Sequence, residues 1–298
     1  MNQQAAAVSL ELPERPRAIH YLALVKPRVL TMVLVATLAG FYLGSAGHLD
    51  LRLALALVAG TAMAAGGTFS LNQFMERDID ARMNRTRTRP LPAGNLYPAE
   101  ALWFGVALSA AGLIYLCMTV NILCAAVTAA IAVIYLLAYT PLKRISSLCT
   151  AVGAIPGALP PVAGWAAVRG SINAPAWTMF AIMYLWQLPH TIAIAQLYRE
   201  DYAAAGIRLL GIEDRDGRTA AGQVILNTLA LMMVASLPTL LGFAGMTYLV
   251  VALAMGGLLL SSGFQFAAKP CAARARWVMI ASLIYLPAVL LVMVIDKI

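Results

Sequence analysis

Long apolar stretches alternate with short polar ones along almost the whole chain. Cutting the sequence at charges and at clusters of Gly, Pro and Asn leaves nine apolar windows. Each is close to the roughly 20 residues that an α-helix needs to cross a bilayer. The windows are approximately 25–46, 52–74, 99–118, 121–140, 147–167, 175–197, 222–242, 246–267 and 274–295. The pattern therefore predicts an all-α, polytopic membrane protein of about nine transmembrane helices arranged as a bundle.

The fifth window differs from the others in its content of helix-breaking residues. Three glycines and three prolines fall between residues 153 and 164. Such a density favours a kink or a close approach between helices inside the bundle.

Composition agrees with a membrane protein and excludes other classes. Of 298 residues, 61% are hydrophobic and 11% are charged, which excludes a soluble globule, a disordered chain and a disulfide scaffold. The first 19 residues lack the apolar core of a signal peptide, so we interpret 1–19 as a mobile cytoplasmic arm and 20–298 as one transmembrane domain. The four cysteines have no metal-ligand spacing, and we expect no nucleic-acid partner.

The few charges are distributed unequally between the two sides of the predicted bundle. If successive loops alternate sides, the 21 Lys and Arg residues divide 18 to 3. By the positive-inside rule, this division predicts a cytoplasmic N-terminus and an external C-terminus. For a bacterial chain, the location would be the cytoplasmic (inner) membrane.

A row of oxygen-bearing side chains follows the second window. Asn72, Glu76 and Asp80 are spaced four apart, which places them along one face of a helix. Asp78 falls on the other side of that helix. Carboxylate and amide oxygens suit Mg²⁺, which also accepts oxygens from substrate phosphates. Because intramembrane polar groups are costly without a role, the spacing favours a metal site over a merely solvated loop.

Cations follow this row directly. Arg85 and Arg89 are again four apart, and guanidinium groups bind phosphate oxygens in pairs. Lys143 and Arg144, after the fourth window, add positive charge on the same side. Carboxylates for a divalent ion, followed by cations for the anion that it carries, indicate a diphosphate site. The alternative is a solvated cytoplasmic loop in which carboxylates merely neutralise arginines.

A second polar group of residues ends the sixth window. Gln187 and His190 lie within it, and Asp201 and Tyr202 follow at its cytoplasmic edge. Eleven residues of helix make almost three full turns, so His190 and Asp201 are expected to share one face. His190 is either a hydrogen-bonded core residue or a contact to a polar or metal-bearing substrate. Two polar helix ends on one side suggest a central cavity open to the cytoplasm, with an anionic head at its mouth and an apolar tail within.

These motifs together resemble the intramembrane aromatic prenyltransferase (UbiA-type) superfamily, specifically its protoheme IX farnesyltransferase branch. The resemblance rests on the first motif from Asn72 to Leu91 and runs from about residue 20 to 210. It also includes the following segments: Lys26-Pro27-Arg28, Tyr139-Thr140-Pro141-Leu142-Lys143-Arg144, Pro160-Pro161-x-x-Gly164-Trp165, Trp186-Gln187-x-Pro189-His190 and Asp201-Tyr202-x-x-Ala205-Gly206. Glu76 stands where the superfamily commonly has Asp, and the second motif carries Asp201 without a paired aspartate.

The resemblance implies a helical bundle that binds Mg²⁺ and farnesyl diphosphate and attaches a farnesyl group to a vinyl of heme b. Under this hypothesis Asn72, Glu76 and Asp80 hold the metal and are the catalytic residues, while Arg85, Arg89 and Lys143 bind the diphosphate. The further residues expected to bind substrate are Arg144, Asp201 and Tyr202. Gln187 and His190 orient heme. Further expected partners are the bilayer and the heme A synthase or terminal oxidase assembly.

Two alternatives stay open at this point. The acceptor could be an aromatic compound of the quinone type. A transporter using intramembrane carboxylates is the alternative from another class, although nearly all ionisable residues crowd one side of the predicted bundle.

Overall fold

The computed structural model describes residues 16–45, 47–212, 214 and 216–298. Regular structure in this part of the chain is helical, apart from one isolated antiparallel bridge between Ala244 and Lys297. The prediction of an all-α fold is confirmed. The predicted arm, residues 1–19, lies outside the described residues up to position 15, and its last residues instead begin a helix at Arg17.

Fourteen α-helices and one π-helical segment make up the described chain. The α-helices are α1 (Arg17–Leu24), α2 (Pro27–Gly44), α3 (Leu51–Asp80), α4 (Pro98–Thr119), α5 (Ile122–Val133), α6 (Thr140–Leu142), α7 (Cys149–Ala158), α8 (Pro160–Arg169), α9 (Ala174–Leu197), α10 (Arg199–Ala204), α11 (Arg218–Val234), α12 (Leu237–Leu240), α13 (Met246–Ala268) and α14 (Ala272–Ile295). The π-helical segment, Ile134–Tyr139, joins α5 to α6.

Eight segments of the described chain are long and apolar enough to cross a membrane, so the protein is a multi-pass membrane protein. They correspond to every predicted window except 175–197. That window forms α9, a 24-residue helix whose apolar sequence is interrupted by Gln187, Pro189 and His190. The ninth crossing therefore stays a prediction.

The second predicted window, 52–74, ends too early. Helix α3 continues to Asp80 and is 30 residues long. It begins at an N-cap, Asp50, whose carboxylate accepts hydrogen bonds from the amides of Arg52 and Leu53. Its polar last turns are buried among other elements, so the helix persists where hydropathy alone predicts a loop.

The fifth predicted window is broken, as its prolines suggested. Helix α7 ends at Ala158 and α8 begins at Pro160. The backbones of α8 and α2 are in close contact at Gly164. A Cβ atom added to this glycine would lie only 1.9 Å from the carbonyl oxygen of Thr37. A Cβ on Gly40 would meet the Pro161 carbonyl oxygen at the same distance.

The two termini of the described chain lie at opposite ends of the bundle. The Lys297 amine donates hydrogen bonds to the carbonyl oxygens of Tyr42 and Ser45, at the C-terminal end of α2. Helix α1 precedes the other end of α2 and is fixed to α3 by the Gln73 amide, which donates to the carbonyls of Ala23 and Leu24. The start of α2 and the end of α3 thus meet at the same end of the bundle.

Candidate functional site

The last turns of α3 carry a buried row of polar side chains. Asn72, Glu76 and Asp80 have relative exposures of 0%, 7% and 1%. All three lie on the inward face of the helix, as their spacing predicts. Asp78 points to the outside, where 79% of its side chain is exposed beside Arg77.

Each member of this row is bound by a cation from a different segment. Lys26 Nζ donates to Asn72 Oδ1 at 2.8 Å. Lys143 Nζ donates to Glu76 Oε1 at 2.7 Å, and Arg89 donates to Asp80 Oδ2 at 2.6 Å. We call these six residues the polar cluster: Lys26, Asn72, Glu76, Asp80, Arg89 and Lys143.

Lys26 is the member of the polar cluster that the sequence pattern did not assign to the site. It is the N-cap of α2 and has a left-handed backbone, φ 49°, a conformation uncommon outside glycine. Burial, together with the positive charge of Arg89, lowers the pKa of Lys26 to about 7. Its place in the motif Lys26-Pro27-Arg28 was the only available signal.

Lys143 is held in its charged form. Burial acts to lower the pKa of this amine, but its interactions with Tyr139 and Glu76 outweigh burial and raise the pKa above its usual value. The Nζ atom also lies 4.2 Å from the centre of the Tyr139 ring, a cation–π contact.

The π-helical segment supplies further contacts that the sequence did not predict. Tyr135 donates from its hydroxyl to Asn72 Oδ1 at 3.4 Å, and the Asn72 amide donates to Thr140 Oγ1 at 3.2 Å. Thr140 in turn donates to the Tyr135 carbonyl at 2.8 Å. These bonds fix the orientation of the Asn72 amide.

The second predicted constellation meets the first at the mouth of the site. Asp201 accepts hydrogen bonds from the Asn84 side chain at 3.3 Å and from the Arg85 amide at 3.4 Å. The Arg85 guanidinium donates to the Tyr202 hydroxyl at 3.1 Å and lies over the rings of Tyr198 and Tyr202. Helix α10 thereby holds the segment between Arg82 and Arg89 in place.

Arg144 is not drawn into these contacts. Arg144 is exposed. Among the described residues, its side chain takes part in none of the hydrogen bonds or ion pairs found at the site. Its role in binding substrate stays a prediction.

The expectation that His190 and Asp201 share a helix face is wrong. Helix α9 ends at Leu197, and Tyr198 leaves the helical conformation with φ −113° and ψ 30° before α10 begins. The angular count therefore fails between the two residues. His190 contacts α14, whereas Asp201 contacts the segment after α3.

His190 is held by two neighbours inside the bundle. Its Nδ1 atom lies 2.9 Å from Ser282 Oγ, and its ring stacks on Trp186 with centroids 5.2 Å apart. One turn earlier, the Gln187 amide donates to the carbonyls of Met183 and Ala154.

Two hollows adjoin these residues. A central cavity of about 260 Å³ lies among α2, α3, α5, α7 and α9, with Phe69, Tyr135 and Tyr139 in its wall. A larger, apolar groove of about 930 Å³ lies between α2, α9 and α14 and includes His190. Gln187, Thr191 and Gly157 line both, so the two hollows lie side by side at that point.

The polar cluster has the donor set that a magnesium ion uses. Mg²⁺ usually takes one or two protein carboxylates and completes its shell with waters and substrate phosphates. Glu76, Asp80 and the amide oxygen of Asn72 provide such ligands in one row. In the part of the chain that the structure describes, no group of three or more His, Cys, Asp and Glu side chains is gathered to hold a metal alone. The oxygens of a bound anion would therefore complete the shell.

Sequence comparison places the chain among known proteins. Residues 33–292 match the model of the UbiA prenyltransferase family. A protein from Solibacter usitatus named protoheme IX farnesyltransferase is 43% identical over 286 residues, which is 93% of this chain and 98% of that protein. A protein of the same name from Myxococcus xanthus is 40% identical over 282 residues, covering 94% and 95% of the two chains.

Solved structures share the fold. A digeranylgeranylglyceryl phosphate synthase superposes with a TM-score of 0.80 at 18% identity, over 94% of this chain and 98% of that one. A UbiA homolog from Archaeoglobus fulgidus bound to DMAPP and Mg²⁺ has a TM-score of 0.66 at 15% identity, over 92% and 99%. At these identities the likeness shows the fold alone.

Proposed function

Since this chain belongs to the UbiA prenyltransferase family, we propose that it transfers a farnesyl group from farnesyl diphosphate to a vinyl group of heme b, giving heme O and diphosphate. Several relatives named protoheme IX farnesyltransferase, 38–44% identical over most of the chain, support heme as the acceptor. The observation that carries the chemistry is the buried polar cluster next to an apolar cavity.

The polar cluster is suited to a change of partners when the donor binds. Without ligand, Lys143 and Arg89 neutralise Glu76 and Asp80, and Lys26 binds Asn72. A prenyl diphosphate brings about three negative charges at neutral pH. The cations can turn to its phosphate oxygens, which frees the two carboxylates and the amide oxygen for a divalent cation. Buried charges thus stay paired before and after binding.

We assign the magnesium ligands to Asn72, Glu76 and Asp80, and the diphosphate contacts to Arg85, Arg89 and Lys143. Mg²⁺ bound there would neutralise charge on the leaving diphosphate. Lys143 and Arg89 stabilise the same developing charge as the allylic C–O bond ionises. Asp201 and Tyr202 position Arg85, and Arg144 lies at the exposed mouth.

The apolar walls are suited to the carbon chemistry. The central cavity would shield the farnesyl carbocation from bulk water. The vinyl terminal carbon of heme b supplies the electron pair for the new C–C bond. Water then adds to the resulting cation and loses a proton, which leaves a hydroxyethylfarnesyl side chain and free diphosphate. Gln187 and His190 orient the acceptor where the two hollows lie side by side.

The proposed location is the bacterial cytoplasmic (inner) membrane, with the polar cluster and the cavity mouth on the cytoplasmic side. The division of charges in the sequence supports this orientation. The N-terminus would be cytoplasmic and the C-terminus periplasmic. Because heme O is a precursor that must be passed on, the heme A synthase or terminal oxidase assembly is the expected partner.

The test is a membrane assay with heme b, farnesyl diphosphate and Mg²⁺, in which heme O is detected by liquid chromatography and mass spectrometry. We expect product from the wild type, and none with Glu76→Gln or after chelation of the metal. Asp78→Asn, on the same helix but facing outward, is the matched control and should behave as the wild type.

Two results would contradict the proposal. Prenylation of a quinone-type aromatic acceptor, with heme b left unchanged, would assign the other acceptor. Uptake of a solute into vesicles without release of diphosphate would assign a transporter.

A further inference from the structure

The groove between α2, α9 and α14 contains a histidine that is held in one orientation. We infer that this groove binds the porphyrin acceptor, with His190 Nε2 facing the iron and Ser282 acting as a positioning residue for the His190 ring. This inference rests on the proposed farnesylation of heme.

The hydrogen bonds of Ser282 favour one of the two tautomers of the His190 ring. Ser282 is fully buried, and its hydroxyl donates to the Met279 carbonyl at 2.7 Å. A serine hydroxyl has a single proton, so toward His190 it acts as an acceptor. We therefore assign the proton to His190 Nδ1, which lies 2.9 Å from Ser282 Oγ. The lone pair is left on Nε2, which makes no hydrogen bond within the described residues.

The ring is also fixed in direction. Trp186 stacks on the imidazole at an interplanar angle of 15°, and the Trp186 indole N–H donates to the Ser282 carbonyl at 2.7 Å. Trp186, His190 and Ser282 thus join α9 to α14 as one rigid unit. Histidines that ligate metals typically donate their second N–H to such a partner, which sets the tautomer and the ring plane.

From the volumes of the two hollows, we assign the porphyrin to the groove and the farnesyl group to the central cavity. Pockets for ligands of drug size enclose roughly 300–1,000 Å³. The central cavity, about 260 Å³, is too small for a tetrapyrrole, whereas the groove, about 930 Å³, can hold one. Because Gln187 and Thr191 line both hollows, a macrocycle bound at His190 would have one edge beside the central cavity.

The groove also offers a partner for carboxylates. Arg28, at the start of α2, is exposed and lines the groove at the same end of the bundle as the polar cluster. A porphyrin with propionate side chains matches an otherwise apolar groove with one guanidinium at its end. A lipid acyl chain would use neither Arg28 nor the imidazole.

The test measures heme binding without turnover. Ferric heme b is added to the full chain in lipid nanodiscs, in the absence of farnesyl diphosphate, and absorption and resonance Raman spectra are recorded. We expect the signature of a histidine ligand in the wild type, its loss in His190→Gly and its return when imidazole is added. Wild-type spectra without a histidine ligand, or unchanged spectra in His190→Gly, would overturn the inference.

Ser282→Ala tests the positioning role. We expect heme affinity to fall at least about tenfold, and the iron–nitrogen stretch of the ferrous form to shift because Nδ1 has lost its acceptor. Ser262→Ala is the matched control, since Ser262 is also buried and donates to the carbonyl three residues earlier. Equal affinity and equal stretching frequency in the two variants would disprove the role of Ser282.

Arg28→Gln completes the experiment. We expect weaker binding of heme b but unchanged binding of its dimethyl ester, while Arg52→Gln, an exposed arginine at the other end of the bundle, alters neither. An equal loss for both porphyrins would overturn the assignment of Arg28 to the propionates. Histidine-ligated heme in a protein that makes no heme O would instead contradict the proposed function and leave the groove assignment standing.

Discussion

The amine of Lys143 lies 2.7 Å from a carboxylate oxygen of Glu76, although 67 residues separate them in the chain. Only 13% and 9% of the two side chains are exposed. The pair joins the end of α3 to the segment after α6, so it serves both the packing of these elements and the chemistry proposed for the site.

Replacing Lys143 should separate these two roles. Lys143→Met leaves a buried carboxylate without its partner and should lower the free energy of unfolding by about 3–5 kcal/mol. The double variant Lys143→Met with Glu76→Met should recover most of this loss and still form no heme O. Thermal unfolding in detergent and the product assay measure the two effects. Equal stability of Lys143→Met and the wild type would contradict the buried pair.

Arg89→Lys tests whether the guanidinium is required as well as the charge. Lysine cannot offer the paired donors of arginine, and a hydrogen bond between charged groups contributes about 1.5–3 kcal/mol. We therefore expect kcat/KM for farnesyl diphosphate to fall between about tenfold and a hundredfold. Arg87→Lys, at an exposed position in the same segment, is the control. A similar loss in both variants would point to a general effect of charge.

Asp201→Asn should loosen the segment after α3. The carboxylate accepts from Asn84 and from the Arg85 amide, so its removal mispositions the Arg85 guanidinium. We expect KM for the prenyl donor to rise more than kcat falls, with the heme spectrum unchanged. Steady-state kinetics provide the measurement. Glu200→Gln, on the same short helix and exposed, is the control and should have no effect. A change in the heme spectrum of Asp201→Asn would contradict a role of Asp201 confined to the site of the prenyl donor.

Gly164→Ala tests the contact between α2 and α8. The added methyl group would lie 1.9 Å from the Thr37 carbonyl oxygen, and backbone cannot rotate away as a side chain can. Overpacking of this kind costs about 1–3 kcal/mol or more, so the midpoint of thermal unfolding should fall. Gly222→Ala, inside α11 where an added Cβ meets nothing within 4 Å, should not lower the midpoint, because alanine favours a helix more than glycine does. Identical midpoints would show that the two helices can move apart freely.

Hydropathy predicted most of the fold because the membrane restricts the chain to helices of nearly fixed length. It failed where a polar helix end is buried by protein, as in the last turns of α3. It predicted the bounds of α9 to within one residue, but the crossing of the membrane by this helix stays a prediction because Gln187 and His190 interrupt its apolar sequence. Spacing predicted the row of Asn72, Glu76 and Asp80, since four residues of unbroken helix keep side chains on one face.

The same helical spacing gave a wrong result where the helix is interrupted by a turn that the sequence does not predict. The turn at Tyr198 separates His190 from Asp201, and no proline or glycine marks it. The contacts of Lys26 and Ser282 depend on residues far away in the chain, so local spacing carried no information about them. Such partners are set by tertiary packing and become visible only in the folded bundle.

The π-helical segment Ile134–Tyr139 makes the site sensitive to chain length. A π-helical turn contains one residue more than the α-helical turn that it replaces, so everything after it is rotated by roughly 100°. That rotation determines which way Lys143 faces when it reaches Glu76. Deleting a single residue from this segment would keep an apolar helix of membrane-spanning length and aim Lys143 away from its carboxylate. An insertion or deletion of one residue inside this membrane helix would therefore abolish activity. The hydropathy profile of the chain would stay almost the same.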